Sequence, residues 1–470
     1  MAARFAAIKK LKGGAHMEKT VAAISTGSAP GGIGVIRISG PKAIDIADSV
    51  FYAYDGSSLK DLKGYRAKYG NIVIEGKKTD NAVALIFRAP KSYTGEDVAE
   101  LSVHGGMLLV RKTLKAVLDA GASPAGAGEF TKRAFLNGKI DLTQAESVAE
   151  LISAEGEQSL KASFNALQGA LSAKIGGVLE KLLDASAVMA AWVDYPDEEI
   201  PEITDGELKQ TLEACGAELK TLLDGYENGQ TVTKGVSTAI AGRPNVGKSS
   251  LMNMLTKTEK SIVTHIEGTT RDIVEETVVL GGLVLHLRDT AGLRSSDDLV
   301  ESIGIEKAYK ALDTAQLVLA VFDSSQELGE YDRDLIERCK TKRAIAVINK
   351  TDLENALDTA EIEAAFPETV YISAVNGSGY DELAAAAERL LGVADFDSSA
   401  PLLANARQRQ NCQNAYDCTV EALGALEAGV TFDAVNVMID SAADELLSLT
   451  GKKANAEVVN QIFSKFCVGK

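Results

Sequence analysis

Cysteine, aromatic rings, basic charge and long apolar runs are all in short supply in this chain. The five cysteines, Cys215, Cys339, Cys412, Cys418 and Cys467, are odd in number and form no CxxC pair, and no histidines are paired beside them. A disulfide framework and a zinc site are both disfavoured, and a reducing cytoplasm is the expected setting. Aromatics make up only 5% against 46% hydrophobic residues, and alanine is abundant, a composition that favours helices packed on small side chains. The 49 basic side chains are outnumbered by 66 acidic ones, for a net charge of −17. That balance excludes broad, non-specific nucleic-acid binding driven by counterion release, though not a specific contact or one made through a basic partner. No apolar run approaches the ~18 residues that cross a bilayer, so no membrane span is expected.

What is present divides by pattern. With 470 residues the chain is too long for one core, and two to four domains are expected. Residues 1–16, "MAARFAAIKKLKGGAH", are basic, free of acids and followed by a second methionine, Met17. They lack the serines of a transit peptide and the apolar core of a signal peptide, and read as a disordered extension outside the fold. From Lys19 to about Leu136, alternating segments such as "IGVIRIS", "NAVALIFRA" and "VAELSVHGG" mix with the helical "GMLLVRKTLKAVLDAG", which describes a small α+β domain. Leu142 to about Tyr226 is nearly all helical in period, interrupted by the acidic "DYPDEEIPEITDGE", a charge run that is more often a solvated linker than a docking site. Val236 to about Leu391 alternates buried-type strands with helices, the signature of a parallel sheet, and helical spacing returns after Ala400. The simplest architecture is one helical domain with the α/β domain inserted into it.

The inserted region carries a nucleotide site. "GRPNVGKSS" has the form GxxxxGK[ST]: glycines let backbone N–H groups close around phosphate oxygens, Lys248 neutralises their charge and the Ser249 hydroxyl suits Mg²⁺. Asn245, Val246, Gly247 and Ser250 complete this phosphate loop. "LVLHLRDTAG" sets Asp289, Thr290, Ala291 and Gly292 at a strand end, where a carboxylate can hold magnesium through water and Gly292 can donate to a γ-phosphate. "AIAVINKTD" places Asn349, Lys350 and Asp352 at another strand end. An aspartate there accepts from N1–H and N2–H₂ of guanine, which adenine cannot offer. Ser373 and Ala374 in "YISA" fit the last base-contacting loop. These motifs in this order specify a GTPase. "THIEGTTRD" lies where a mobile switch belongs, with Thr270 able to complete the magnesium shell. Leu293 follows DTAG where a water-orienting glutamine stands in Ras-like proteins, so another group must align the water, and Glu301 is the candidate.

These stretches, with "SYTGEDVAELSVHGG", "AGEFTKRAFLNGKIDLTQAE", "DYPDEEI", "VESIGIEKA" and the terminal "FCVGK", resemble the MnmE (TrmE) family of tRNA modification GTPases from Met17 to Lys470. The resemblance implies a multidomain fold: an α+β N-terminal folate-binding and dimerisation domain (17–136), an all-α helical domain in two pieces (137–234 and 393–470) and an inserted Ras-like α/β P-loop GTPase domain (235–392). It implies a cytoplasmic homodimer that works in a hetero-oligomer with the FAD-dependent flavoprotein MnmG (GidA), the FAD belonging to that partner. Together they would place aminomethyl or carboxymethylaminomethyl groups on carbon 5 of the wobble uridine of certain tRNAs, with a tetrahydrofolate derivative, the 5,10-methylene or 5-formyl form, as one-carbon donor. By position, Asn245 with Thr264, Ile266 and Thr269 would hold K⁺, Ser249 and Thr270 would hold Mg²⁺, and Glu301 would orient water. Arg37, Glu100, Lys139 and Lys470 match the folate-binding positions, although without the resemblance they read as ordinary surface charges. The tail would thread back toward the folate with Cys467 facing the one-carbon centre, where a thiolate could assist transfer and a packing role is the alternative. The ending "CVGK" does not suit a prenyl anchor, which wants aliphatic residues after the cysteine. The chief rival is an Era- or Der-like switch in ribosome assembly, against which stand the missing basic RNA-binding tail and second G domain. A stand-alone folate enzyme with a regulatory G domain is the other.

Overall fold

The structure is a computed structural model and describes residues 19–27, 29–194, 205–258, 276–287 and 312–470. The chain divides into two compact units: 1–149 with 166–221 and 406–470, and 150–165 with 222–405.

In the first unit, β1 (Val21–Ile24), β2 (Ile33–Ser39), α1 (Ala43–Val50), β3 (Phe51–Ala53), β4 (Arg66–Ile74), β5 (Lys77–Phe87), β6 (Val98–His104), α2 (Met107–Asp119) and β7 (Ser123–Pro124) build a sheet of order β3-β4-β5-β6-β2-β1-β7. The period-2 alternation of β2 and β6 buries Ile36, Ile38, Ala99 and Leu101 against Ile44, Val110 and Val117 of the two helices. The opposite face receives the intervening residues, and there Arg37 of β2 lies directly across from Glu100 of β6. The short strand β3 is missed by the helical spacing of "PKAIDIADSVF": the helix ends at Val50, and Phe51 starts the edge strand.

The helices that follow in chain order are α3 (Glu129–Leu136), α4 (Leu142–Ser153), α5 (Glu157–Leu167), α6 (Ala170–Asp194) and α7 (Asp205–Asp224). Most of this helical stretch belongs to the first unit, whereas the end of α4 and nearly all of α5 belong to the second. The long helical stretch read from the sequence is broken near Gly156 and Gly169.

The second unit continues through α8 (Tyr226–Lys234), β8 (Val236–Ala241), α9 (Lys248–Thr258), β9 (Glu276–Leu280), β10 (Leu283–Leu287), β11 (Leu317–Asp323), α10 (Glu330–Cys339), β12 (Ala344–Asn349), α11 (Ala360–Ala365), β13 (Glu368–Tyr371) and α12 (Tyr380–Leu391). Its sheet has the order β13-β12-β11-β8-β10-β9, parallel except for β9. The unbroken apolar character of β11 and β12 fits strands covered on both faces, and every residue of both is buried. Chain order reverses around β8, so the crevice beyond its carboxyl end is where a doubly wound sheet binds ligands.

The chain closes with α13 (Ala406–Glu427), α14 (Phe432–Leu449) and α15 (Ala456–Phe463) of the first unit. As the scarcity of aromatics predicts, α13 and α14 bury small residues, among them Cys412, Ala415, Ala422, Ala442 and Ala443. One ion pair anchors α13 to α4: Arg407 Nε and Nη2 meet the two oxygens of Glu146 at 2.9 and 2.7 Å, and Gln408 Nε2 donates to the same carboxylate at 2.7 Å. Glu146 is only 8% exposed. Arg407→Met is therefore expected to cost about 3 kcal/mol, because it strands a nearly buried carboxylate that has lost its countercharge. A urea midpoint unchanged from wild type would contradict this. No helix among the described residues is long and apolar enough to cross a membrane.

Candidate functional sites

The loop between β8 and α9 has the geometry of a phosphate cradle. Asn245 sits at φ 64° and Gly247 at φ 95°, left-handed backbone of the kind that phosphate-binding nests use. A Cβ on Gly247 would stand 2.2 Å from Asn349 Nδ2, which leaves glycine alone able to occupy the position. Lys248 opens α9, and its Nζ donates to the carbonyls of Gly242 and Arg243 at 2.7 and 2.8 Å. Burial pushes its ammonium down to about 8. A half-buried cation at a helix N-terminus, held by two carbonyls and paired with no carboxylate among the described residues, fits a polyphosphate. Ser249 follows in the first turn of the helix, exposed, as a magnesium-ligating hydroxyl requires.

The residues expected to read guanine lie at or just past the ends of β12 and β13. Asn349 donates from Nδ2 to Val246 O at 2.9 Å and accepts from Ala374 N at 3.1 Å, so one side chain joins the loop after β8 to the loop after β13. Ser373 Oγ donates to Asp352 Oδ1 at 2.5 Å and so orients that carboxylate. Lys350, at φ 65°, turns its ammonium to Asp323 Oδ2 at 2.6 Å. Next in sequence to Asp352 and Ala374, Leu353 and Val375 are 51% and 79% exposed, large apolar side chains that the sequence motifs do not single out.

A second constellation forms in the first unit around the chain's end. The last residues pair with the segment before α3: Ala127 bridges Val468 antiparallel, Gly128 N donates to Cys467 O at 3.2 Å, and Phe130 N donates to Lys470 O at 3.0 Å. Ser25 Oγ donates to Gly469 O at 3.0 Å. Gly469, at φ 98°, lies so close to β1 that a Cβ would stand 2.1 Å from Ile24 O. Phe130 links the tail to the sheet, since its ring and that of Tyr93 each lie 5.5 Å from the Arg37 guanidinium. Arg37 Nε in turn meets Glu100 Oε1 at 2.7 Å, each side chain 20% exposed. Lys139 reaches the same loop as Tyr93, with Nζ on Pro90 O at 3.2 Å. Of the five cysteines, Cys467 alone is exposed. Burial pushes Cys215 and Cys339 up to about 11 and Cys412 to about 12, which makes them packing groups.

Comparison with known proteins decides the family. Residues 142–467 match the MnmE helical domain and residues 20–139 the GTP-binding protein TrmE N-terminus. A tRNA modification GTPase MnmE of Symbiobacterium thermophilum is 42% identical over 457 residues, covering 96% of this chain and 100% of its own. Its counterpart from Clostridioides difficile is 38% identical over 457 residues, covering 97% and 100%. The chain belongs to the MnmE family. Among solved structures, the G domain of the T. maritima FeoB iron transporter covers 34% of this chain and 98% of its own at 30% identity, with a TM-score of 0.25, too low to carry an argument about fold.

Within the MnmE frame the expected sites fare differently. Asn245, Val246, Gly247, Lys248, Ser249, Ser250, Asn349, Lys350, Asp352, Ser373 and Ala374 belong to loops that Asn349 ties together. Arg37 and Glu100 form one pair, and Lys470 reaches their neighbour Phe130 through its main chain. Thr264, Ile266, Thr269, Thr270, Asp289, Thr290, Ala291, Gly292 and Glu301 lie outside the described residues, as does most of the acidic linker. Sequence reasoning missed Tyr93 and Phe130. Nothing in "SYTGED" or "GEFTKR" marks either aromatic in the sequence, and only the fold sets both against Arg37.

Proposed function

We propose that this tRNA modification GTPase acts as a homodimer together with an FAD-dependent flavoprotein of the MnmG (GidA) type. The pair would install (carboxymethyl)aminomethyl groups on carbon 5 of the wobble uridine, taking the one-carbon unit from a tetrahydrofolate derivative. The observation that supports the reading is that the C-terminal tail, which carries the chain's only exposed thiol, pairs with Phe130, whose ring lies against Arg37 of the Arg37–Glu100 pair. The division into 17–136, 137–234 with 393–470, and 235–392 is part of the same proposal.

On the folate side, Glu100 suits the amidine-like donor edge of a pterin, while Arg37, Lys139 and Lys470 suit a glutamate tail. Tyr93 and Phe130 hold the Arg37 guanidinium in place. On the nucleotide side, Lys248 binds the β/γ charge, Asp352 selects guanine, Ser249 and Thr270 hold Mg²⁺, and Asn245 with Thr264, Ile266 and Thr269 holds K⁺. The exposed Asn245, turned out by its left-handed backbone, fits that ligand role. A K⁺ held there would supply positive charge near the β/γ bridge, the role an arginine finger plays elsewhere. Glu301 orients the attacking water.

Replacing K⁺ by Na⁺ at constant ionic strength is expected to lower GTP turnover about tenfold or more without weakening nucleotide binding. Equal rates in the two salts would remove the potassium assignment. The function itself is tested by mass spectrometry of wobble nucleosides from cells lacking the gene. Loss of the modified uridine, restored by the wild-type gene, supports the proposal. An unchanged nucleoside would return the chain to an Era- or Der-like role in ribosome assembly.

A further inference from the structure

The stretch from Asp323 to Asp332, "DSSQELGEYD", belongs to no nucleotide motif, yet it is tied to both halves of the nucleotide site. At its start, Asp323 is 2% exposed at the end of β11. Its Oδ2 accepts from Lys350 Nζ at 2.6 Å, and its Oδ1 accepts from Ser325 N and Oγ at 3.0 and 2.7 Å. Ser324 then grips the guanine-reading loop at both ends. Its N–H donates to Asn349 O at 2.9 Å and its Oγ to Lys350 O at 2.8 Å. Its carbonyl accepts from Ala356 N and Leu357 N at 2.9 and 3.1 Å, just past Asp352. Lys350 is held in the left-handed region, an unfavourable place for a lysine without such restraint.

At the other end, Asp332 is 1% exposed. Its Oδ2 accepts from Gly329 N at 2.9 Å and pairs with Arg243 Nη1 at 3.4 Å. Arg243 is a phosphate-loop residue whose own carbonyl is one of the two that hold Lys248. This ion pair connects the first turn of α10 to the phosphate loop through the Arg243 side chain.

We propose that residues 323–332 are the positioning element of the nucleotide site. Asp323 and Ser324 set the loop that carries Asp352, and Asp332 sets the phosphate loop through Arg243. None of the three belongs to the motifs that contact the nucleotide. The inference rests on the guanine-nucleotide reading above and extends it to residues outside those motifs.

The two ends predict different losses. Inosine diphosphate lacks the 2-amino group of guanine, so it has one fewer hydrogen bond to lose when Asp352 is misplaced. Calorimetric titration of the full-length chain with GDP, IDP and ADP separates the cases. Asp323→Asn is expected to weaken GDP about tenfold or more and IDP less, narrowing the preference between them, and Ser324→Ala should shift it the same way by about threefold. Asp332→Asn is expected to weaken both nucleotides equally, by about three- to tenfold, with the preference intact. A GDP/IDP preference unchanged in Asp323→Asn and Ser324→Ala would overturn the guanine half. Should Asp323→Asn fail to fold, Ser324→Ala, which removes a single hydroxyl, decides it. Unchanged affinities in Asp332→Asn would overturn the phosphate half. A wild-type chain that binds ADP as well as GDP would instead defeat the guanine-nucleotide reading, an outcome none of the variants can mimic.

Discussion

Replacing Lys248 by alanine is expected to lower guanine-nucleotide affinity about a hundredfold and to leave no measurable GTP turnover, because two or more charge-assisted hydrogen bonds to phosphate disappear together. The wild-type lysine adds a pH signature. In the nucleotide-free fold it sits depressed from 10.5 to about 8 by burial. A lysine depressed in this way costs the fold stability below about pH 8, where both folded and unfolded chains hold the proton, and that cost is relieved as pH rises from about 8 toward 10.5. Bound polyphosphate restores the ammonium, so binding above pH 8 must take up a proton. Affinity is therefore expected to fall about tenfold per pH unit above the free chain's pKa in wild type and to stay flat over the same range in Lys248→Ala. Titrations at several pH values check both statements. A parallel decline in the two proteins would assign the pH effect to some other group.

The legible part of this protein and the illegible part differ in range. Phosphate and guanine loops are short, and the residue types expected in them follow from chemistry that tolerates little substitution, so Gly247, Lys248 and Asp352 stand out as candidates from spacing alone. The parallel sheet was equally plain, because β11 and β12 are apolar throughout most of their length. Residues that act through contacts far apart in sequence were not readable. Phe130 and Arg37 meet only because the sheet places β1 beside β2 and the tail strand pairs at Ala127. Asp323 looks like an ordinary strand-end aspartate until its ion pair with Lys350 is seen. The edge strand β3 was lost for a local reason: Phe51 continues the apolar spacing of the preceding helix, and pairing with Ile72 of β4 overrides it.

Replacing Cys467 by serine is expected to remove wobble-uridine modification in cells, by at least about tenfold, while GTP turnover of the purified protein stays at the wild-type level, because the serine hydroxyl is a far weaker nucleophile than a thiolate. The seating of the tail gives this substitution little else to disturb. Cys467 is exposed, and its main-chain carbonyl tethers it by accepting from Gly128 N. Serine keeps that carbonyl and nearly the same volume, so a loss of modification reports on sulfur. Gly469→Ala supplies the contrast. Its left-handed backbone and the approach of Ile24 O leave no room for a methyl group, so the tail must lift from β1 with its thiol chemically intact. If the thiol acts in one-carbon transfer, both variants lose modification and both keep GTPase activity. If Cys467→Ser modifies tRNA normally while Gly469→Ala does not, the tail serves by position alone, through Lys470 and the main chain that pairs with Phe130. Nucleoside mass spectrometry of the two complemented strains, side by side, separates these outcomes without any assumption about the ionisation of the cysteine.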